Sequence, residues 1–151
     1  MKKLLQVSTT YLLMVVFLAT TFLNTLTTPL AHAVDPWWDS SWTRRIKLDF
    51  GNASRAENLT NFTVLVALNS GNIDYTKTKD DGSDLRFLDA DGTTVLDYEI
   101  EKWDEAGTSY VWVKVPQINA SSNTDYMYMY YNNASATAGA TGTATWDSSY
   151  Q

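Results

Sequence analysis

The sequence predicts an all-β fold, an antiparallel β-sandwich or jelly-roll-like single module, and three observations carry the prediction. Apolar and polar residues alternate with period two in stretch after stretch, and no segment beyond residue 33 holds a helical period. The alternating stretches are rich in β-branched and aromatic residues. Each is bounded by Gly, Asn, Asp or Pro, the punctuation of short antiparallel strands.

The first element is a leader. Lys2 and Lys3 precede an apolar run from Tyr11 to Leu23, and a small-x-small ending stands at Ala31-His32-Ala33, the pattern of a secretory signal peptide over residues 1–33. The run is shorter than the roughly 20 apolar residues of a spanning helix, and Asn24 and Pro29 interrupt its continuation. Cleavage after Ala33 is therefore expected, with an uncleaved anchor as the alternative, and the membrane is involved only during export. Removing 33 of 151 residues leaves 118, takes away two lysines and moves the net charge from −6 to −8.

The leader also holds His32, the single histidine, and the chain has no cysteine. A mature chain without either residue excludes Ser-His-Asp and Cys-His catalysis, thiolate and His-ligated metal centres, and disulfides. Its acidity argues against nucleic acid, which requires a basic stripe. Carboxylate chemistry, oxygen-ligated calcium and aromatic recognition surfaces remain.

Six strands are expected in order: 42–50 (WTRRIKLDF), 61–68 (NFTVLVAL), 84–88 (DLRFL), 94–103 (TVLDYEIEKW), 109–115 (SYVWVKV) and 124–131 (TDYMYMYY). Residues 69–83 read as a long loop, and residues 55–59 offer one helical turn. Asp91-Gly92 is a favoured two-residue hairpin turn, which sets Phe87 opposite Leu96, Leu85 opposite Tyr98 and Arg86 opposite Asp97. The next turn, DEAGT, sets Trp103 by Tyr110, Glu101 by Trp112, Glu99 by Lys114 and Ile100 by Val113. Both registers put Leu96, Tyr98, Ile100, Val111, Val113 and Val115 on the core face. Asp97, Glu99, Glu101, Trp103, Tyr110, Trp112 and Lys114 share the other.

That second face holds the candidate chemistry. Asp97, Glu99 and Glu101 stand at i, i+2 and i+4, about 6.6 Å apart along the strand, compatible with the carboxyl separation of about 5–5.5 Å of a retaining glycosidase. The string is similar to the strand signature of laminarinase-type jelly-roll glycosidases, with Asp-Glu-Glu in place of Glu-Asp-Glu, so Glu99 and Glu101 are the pair for an enzymatic alternative. The plainer reading pairs Asp97 with Arg86 and Glu99 with Lys114 across strands, and no catalytic residue is assigned. Trp103, Tyr110 and Trp112 on the same face offer rings for sugar stacking, with Glu101 accepting from sugar hydroxyls. A second row, Tyr126, Tyr128 and Tyr130, is expected to be buried.

Asp89 and Asp91 in DADG are a weak calcium alternative; the glycine stands too early for an EF-hand loop, and turn chemistry explains the residues, so no cofactor is expected. The sequons at Asn52, Asn58, Asn119 and Asn133 are glycosylation candidates in a host that modifies exported proteins, whereas Asn61 opens a strand. Residues 132–145 (NNASATAGATGTAT) carry no charge and no aromatic and read as a linker. WDSSYQ at residues 146–151 echoes WDSSW at 38–42 and reads as the start of a truncated second domain.

The runs WTRRIKLDFGN, NFTVLVALNS, DGSDLRFLDADGTTVLDYEIEKW, VWVKVP and MYMYYNNASA together resemble the domain of unknown function twenty-three forty-one. The resemblance spans residues 37–131. It implies a prokaryotic β-rich module behind a signal peptide and ahead of a concanavalin A-like lectin/glucanase (laminin G-like) domain in exported proteins, with no reaction to carry over. The combined expectation is a non-enzymatic accessory module, secreted or at the cell surface, for binding or presentation of polysaccharide or surface glycan. A glycoside hydrolase and a structural spacer are the alternatives.

Overall fold

The structure, a computed structural model, describes residues 37–147. The expected signal peptide with Ala33 and His32, and residues 148–151 of the expected second domain, lie outside the described residues.

All six expected strands are present: β1 (Arg44–Asp49), β2 (Leu59–Leu68), β3 (Arg86–Asp89), β4 (Tyr98–Lys102), β5 (Ser109–Ile118) and β6 (Tyr126–Tyr131). The helical elements among the described residues are two short 3-10 turns, Tyr75–Lys77 and Gly142–Thr145. The strands form two antiparallel sheets of three, ordered β1-β6-β3 and β2-β5-β4. Residues 55–59 do not make the expected helical turn. Asn52 is buried there, its amide donating to the carbonyls of Glu57 and Asn119, and this ties the chain into an extended approach to β2.

The two sheets meet on the alternating apolar face read from the sequence. Met127, Met129 and Tyr131 of β6 with Phe87 of β3 pack against Val111, Val113 and Val115 of β5, Val66 and Leu68 of β2, and Tyr98 of β4. Phe87 and Tyr98 are fully buried with ring centroids 5.1 Å apart, and each such side chain contributes about 1.5–3 kcal/mol through burial. Burial pushes the Tyr98 phenol above its ordinary range, and its hydroxyl donates to the Leu85 carbonyl at 2.7 Å.

The Asp91-Gly92 hairpin closes in the expected register: the Leu96 N–H donates to Phe87 O at 2.8 Å and Leu88 bridges Val95. Beyond Leu96 its arms part. The Lys114 N–H donates to Asp97 O, so β4 joins β5 while β3 stays with β6. The expected Arg86–Asp97 pair is thereby replaced, and the Arg86 guanidinium donates instead to the carbonyls of Ser83, Leu85 and Thr137.

Residues 132–145 are not a loose linker; this is a correction. The segment runs back across the module, held mainly through its backbone: Lys79 Nζ donates to Ala136 O, Arg86 Nη2 to Thr137 O, Lys114 Nζ to Ala144 O and Thr63 Oγ1 to Thr145 O. Thr141 exchanges bonds with the Tyr98 backbone at the edge of β4. Its small residues permit the close approach. A Cβ at Gly139 would overlap the Arg86 guanidinium, so the composition that suggested flexibility lets a backbone lie against a sheet.

Candidate functional site

The β4–β5 pairing places Tyr98 opposite Val113, Glu99 opposite Trp112 and Ile100 opposite Val111. This is two residues from the expected register, and a shift of two preserves the facing of every side chain. Glu99 therefore meets Trp112 rather than Lys114, while the core face stays as read. A bulge then intervenes: between Ile100 and Lys102 the β4 chain takes one extra residue, Glu101, against β5, so that Lys102 stands opposite Tyr110.

One inserted residue reverses the facing of the side chains beyond it. Trp103, expected on the open face, turns inward, packs against the core cluster and meets Tyr75 edge-on with centroids 5.3 Å apart. Gly82 is required beside it, because a Cβ there would lie 2.7 Å from the indole and the backbone has φ +67°. Trp103 is thus removed from the proposed ligand-binding row.

Tyr110, Trp112 and Glu101 do come together on the outer face of the β2-β5-β4 sheet. The Trp112 indole N–H donates to Glu101 Oε2 at 2.5 Å. Leu65 of β2 stands opposite Trp112 and Ala67 opposite Tyr110, and Leu65 is 47% and Tyr110 36% exposed. The face carries two carboxylates, an aromatic pair on one strand and an exposed aliphatic side chain.

Sequence reasoning missed one member of this face. Trp146, assigned to a second domain, lies against Trp112 with centroids 5.3 Å apart and planes at 60°, and its indole N–H donates to Glu99 Oε2. The Gly142–Thr145 turn brings it there, bonded to Thr63 and Lys114 of the same face. The echo of WDSSW at residues 38–42 was the available signal, since that first copy also packs onto a sheet.

Glu99 and Glu101, the pair of the enzymatic alternative, are thus each engaged by an indole donor on an open sheet face. The other candidates sit elsewhere. Asp91 caps its own turn, accepting from the backbone N–H groups of Thr93 and Thr94 and from the Thr94 hydroxyl, which hold its carboxyl down at about 2. Asp89 accepts from the Ala90 N–H, and among the described residues no three acidic or histidine side chains are grouped to hold a metal ion. Of the sequons, Asn52 is buried with its amide donating to two carbonyls, which excludes it as an acceptor in the folded chain. Asn58 and Asn119 are exposed, and Asn133 is half-buried with its side-chain carbonyl accepting from Ser135. Asn61 is exposed on β2 in the left-handed region, φ 48°.

The tyrosine row behaves differently. Tyr128 and Tyr130 are buried with Leu88 under Trp42, Trp38 and Ala136 on the outer face of the β1-β6-β3 sheet. The Arg45 guanidinium lies 4.2 Å from the Tyr128 ring centroid, and the Lys47 ammonium 4.2 Å from that of Tyr126. Asp84, itself buried, fastens this cover by accepting from the N–H groups of Lys79, Asn132 and Asn133.

Comparison with known proteins returns no match among curated proteins and none among solved structures. A family model does match, beginning at the loop that leads into β3 and continuing through β6 and the crossing segment to the Trp146 region. Over residues 81–150 the chain matches the DUF2341 family, described as a domain of unknown function, which is the family its motifs resemble.

Proposed function

We propose that the chain is an exported, non-catalytic accessory module that binds or presents at a surface, with polysaccharide or surface glycan as the partner and a lectin-like domain as its neighbour in the longer protein. The observation that carries the reading is the outward row of exposed Tyr110 and half-buried Trp112, with Glu101 hydrogen-bonded to the Trp112 indole. A sugar ring stacks its C–H face on such rings while a carboxylate accepts from its hydroxyls, and ordering the indole beforehand lowers the entropic cost of binding. The exposure of Tyr110 and Leu65 favours this over a spacer, whose faces need no open aromatic group. The indole bonds to Glu99 and Glu101 favour it over the glycosidase, whose carboxylates must reach the scissile bond. The signal pattern at residues 1–33 supports export.

The test is a glycan-array and polysaccharide pull-down of the full chain beside Trp112→Ala. Binding is expected for the parent and lost in the variant, and binding that survives the substitution removes this face from consideration. Hydrolysis of any bound glycan that disappears in Glu101→Gln would instead establish the enzyme.

A further inference from the structure

We infer that the aromatic row of this face has a third member, Trp146, and that the row takes a polysaccharide free of acidic groups. The inference rests on the glycan-binding reading above and deepens it from partner class to charge class.

Trp146 and Trp112 are held alike. Each indole N–H donates to a glutamate of β4, Trp146 to Glu99 and Trp112 to Glu101, and the two rings touch at 5.3 Å. The Gly142–Thr145 turn rests on the row of Thr63 and Lys114, so Trp146 reaches Trp112 from the side opposite Tyr110. Tyr110 and Trp112 are two residues apart on one strand face, about 6.6 Å. The three rings thus form one track along β5. Because Trp112 and Trp146 are in contact and tilted, they leave no slot for a ligand between them. A chain molecule lies across the track.

Charge selects the ligand. Glu99 and Glu101 take neutral indole N–H groups as donors, Lys102 Nζ pairs with Asp104 at 2.8 Å, and Lys114, its Nζ donating to the Ala144 carbonyl, sets a single positive charge beside the two carboxylates. The whole chain carries a net charge of −6. The remaining lone pairs of the two carboxylates accept hydroxyl protons from a neutral sugar, whereas a uronate or sulfate ester brought onto the same track meets like charge at short range.

The experiment is affinity electrophoresis of the full chain through gels containing neutral β-glucan, neutral xylan, polygalacturonate or alginate, at low and physiological salt. Trp112→Ala, Trp146→Ala and Glu99→Gln/Glu101→Gln are run alongside, with a thermal melt of each. Retardation by a neutral polymer is expected, at least about tenfold stronger than by either uronate polymer, and Trp146→Ala should weaken it about tenfold. The double Gln variant keeps an amide oxygen for each indole N–H, so it should retain neutral binding and narrow the discrimination against uronates. Equal or stronger binding of uronate polymers overturns the inference. So does neutral binding lost in Trp112→Ala and unchanged in Trp146→Ala. A folded parent that none of the four polymers retards overturns the underlying reading instead.

Discussion

The two sheets of this module each carry an aromatic row on the outward side, and the rows have opposite fates. On the β1-β6-β3 sheet, Tyr128 and Tyr130 disappear beneath Trp38, Trp42 and Ala136, leaving Tyr130 fully buried. On the β2-β5-β4 sheet, Trp112 meets the indole of Trp146, and Tyr110 stays open beside Leu65. The rows resemble each other in sequence, and what separates them is the chain that crosses each face. Residues 37–42 and 132–136 bring bulk to the first face, and the buried Asp84 carboxylate anchors residues 132 and 133 there. Residues 142–146 bring one ring and a few backbone carbonyls to the second. An aromatic row becomes core or surface according to its cover.

This contrast can be broken by substitution, and the largest effect is expected on the covered side. Tyr130→Ala should cost about 3–5 kcal/mol in urea denaturation, as a large buried ring is removed without room to collapse. Tyr110→Ala, the matching change on the open side, should stay within about 0.5 kcal/mol. Comparable costs at the two positions would erase the distinction.

Gly139→Ala comes next. A methyl group there displaces the Arg86 guanidinium from the carbonyls it binds, loosening residues 136–141, at a cost of about 1–3 kcal/mol. The expected signature is faster limited proteolysis between residues 132 and 141 with the β-sheet circular dichroism retained. Trp112→Ala should reduce stability by only about 1 kcal/mol in a melt while removing glycan retention, so that function and stability part company on the open face.

The smallest effect concerns a turn belonging to neither face. The Asp91 carboxyl is lowered from 3.8 to about 2, first by the Thr94 hydroxyl and then by backbone N–H groups. A depressed folded-state value stabilises the protein above the unfolded value, and the contribution is lost as pH falls through the folded one. The stability difference between parent and Asp91→Ala should therefore be constant at neutral pH and close between about pH 4 and pH 2, with a plateau well under about 1 kcal/mol for so exposed a group. A difference that persists below pH 2 would contradict the role of the ionised carboxylate.

Much of the architecture was legible because side-chain alternation is a local property of strands. The facing of Tyr98, Ile100, Val111 and Val113 survived a register error of two because the pattern repeats every two residues. Trp103 was misread for the complementary reason: the bulge at Glu101 inserts one residue, and nothing in EIEKW marks it. Arg86 and Lys114 were matched to carboxylates by charge, yet both donate to backbone carbonyls, acceptors that every residue carries and no sequence pattern distinguishes.

By itself the sequence determined the six strands, the apolar face that joins the sheets, and the absence of histidine and cysteine chemistry from everything after residue 33, because composition and alternation are read one residue at a time. Only the tertiary structure decided which aromatic row is covered, that Trp103 packs against the core, and that residues 132–146 are part of the module. Those outcomes depend on backbone hydrogen bonds and on segments meeting from distant parts of the chain: Thr63 with Thr145, Trp42 with Asp84, Glu99 with Trp146. Contacts made through carbonyls and small residues leave no periodic trace in the side chains that make them possible.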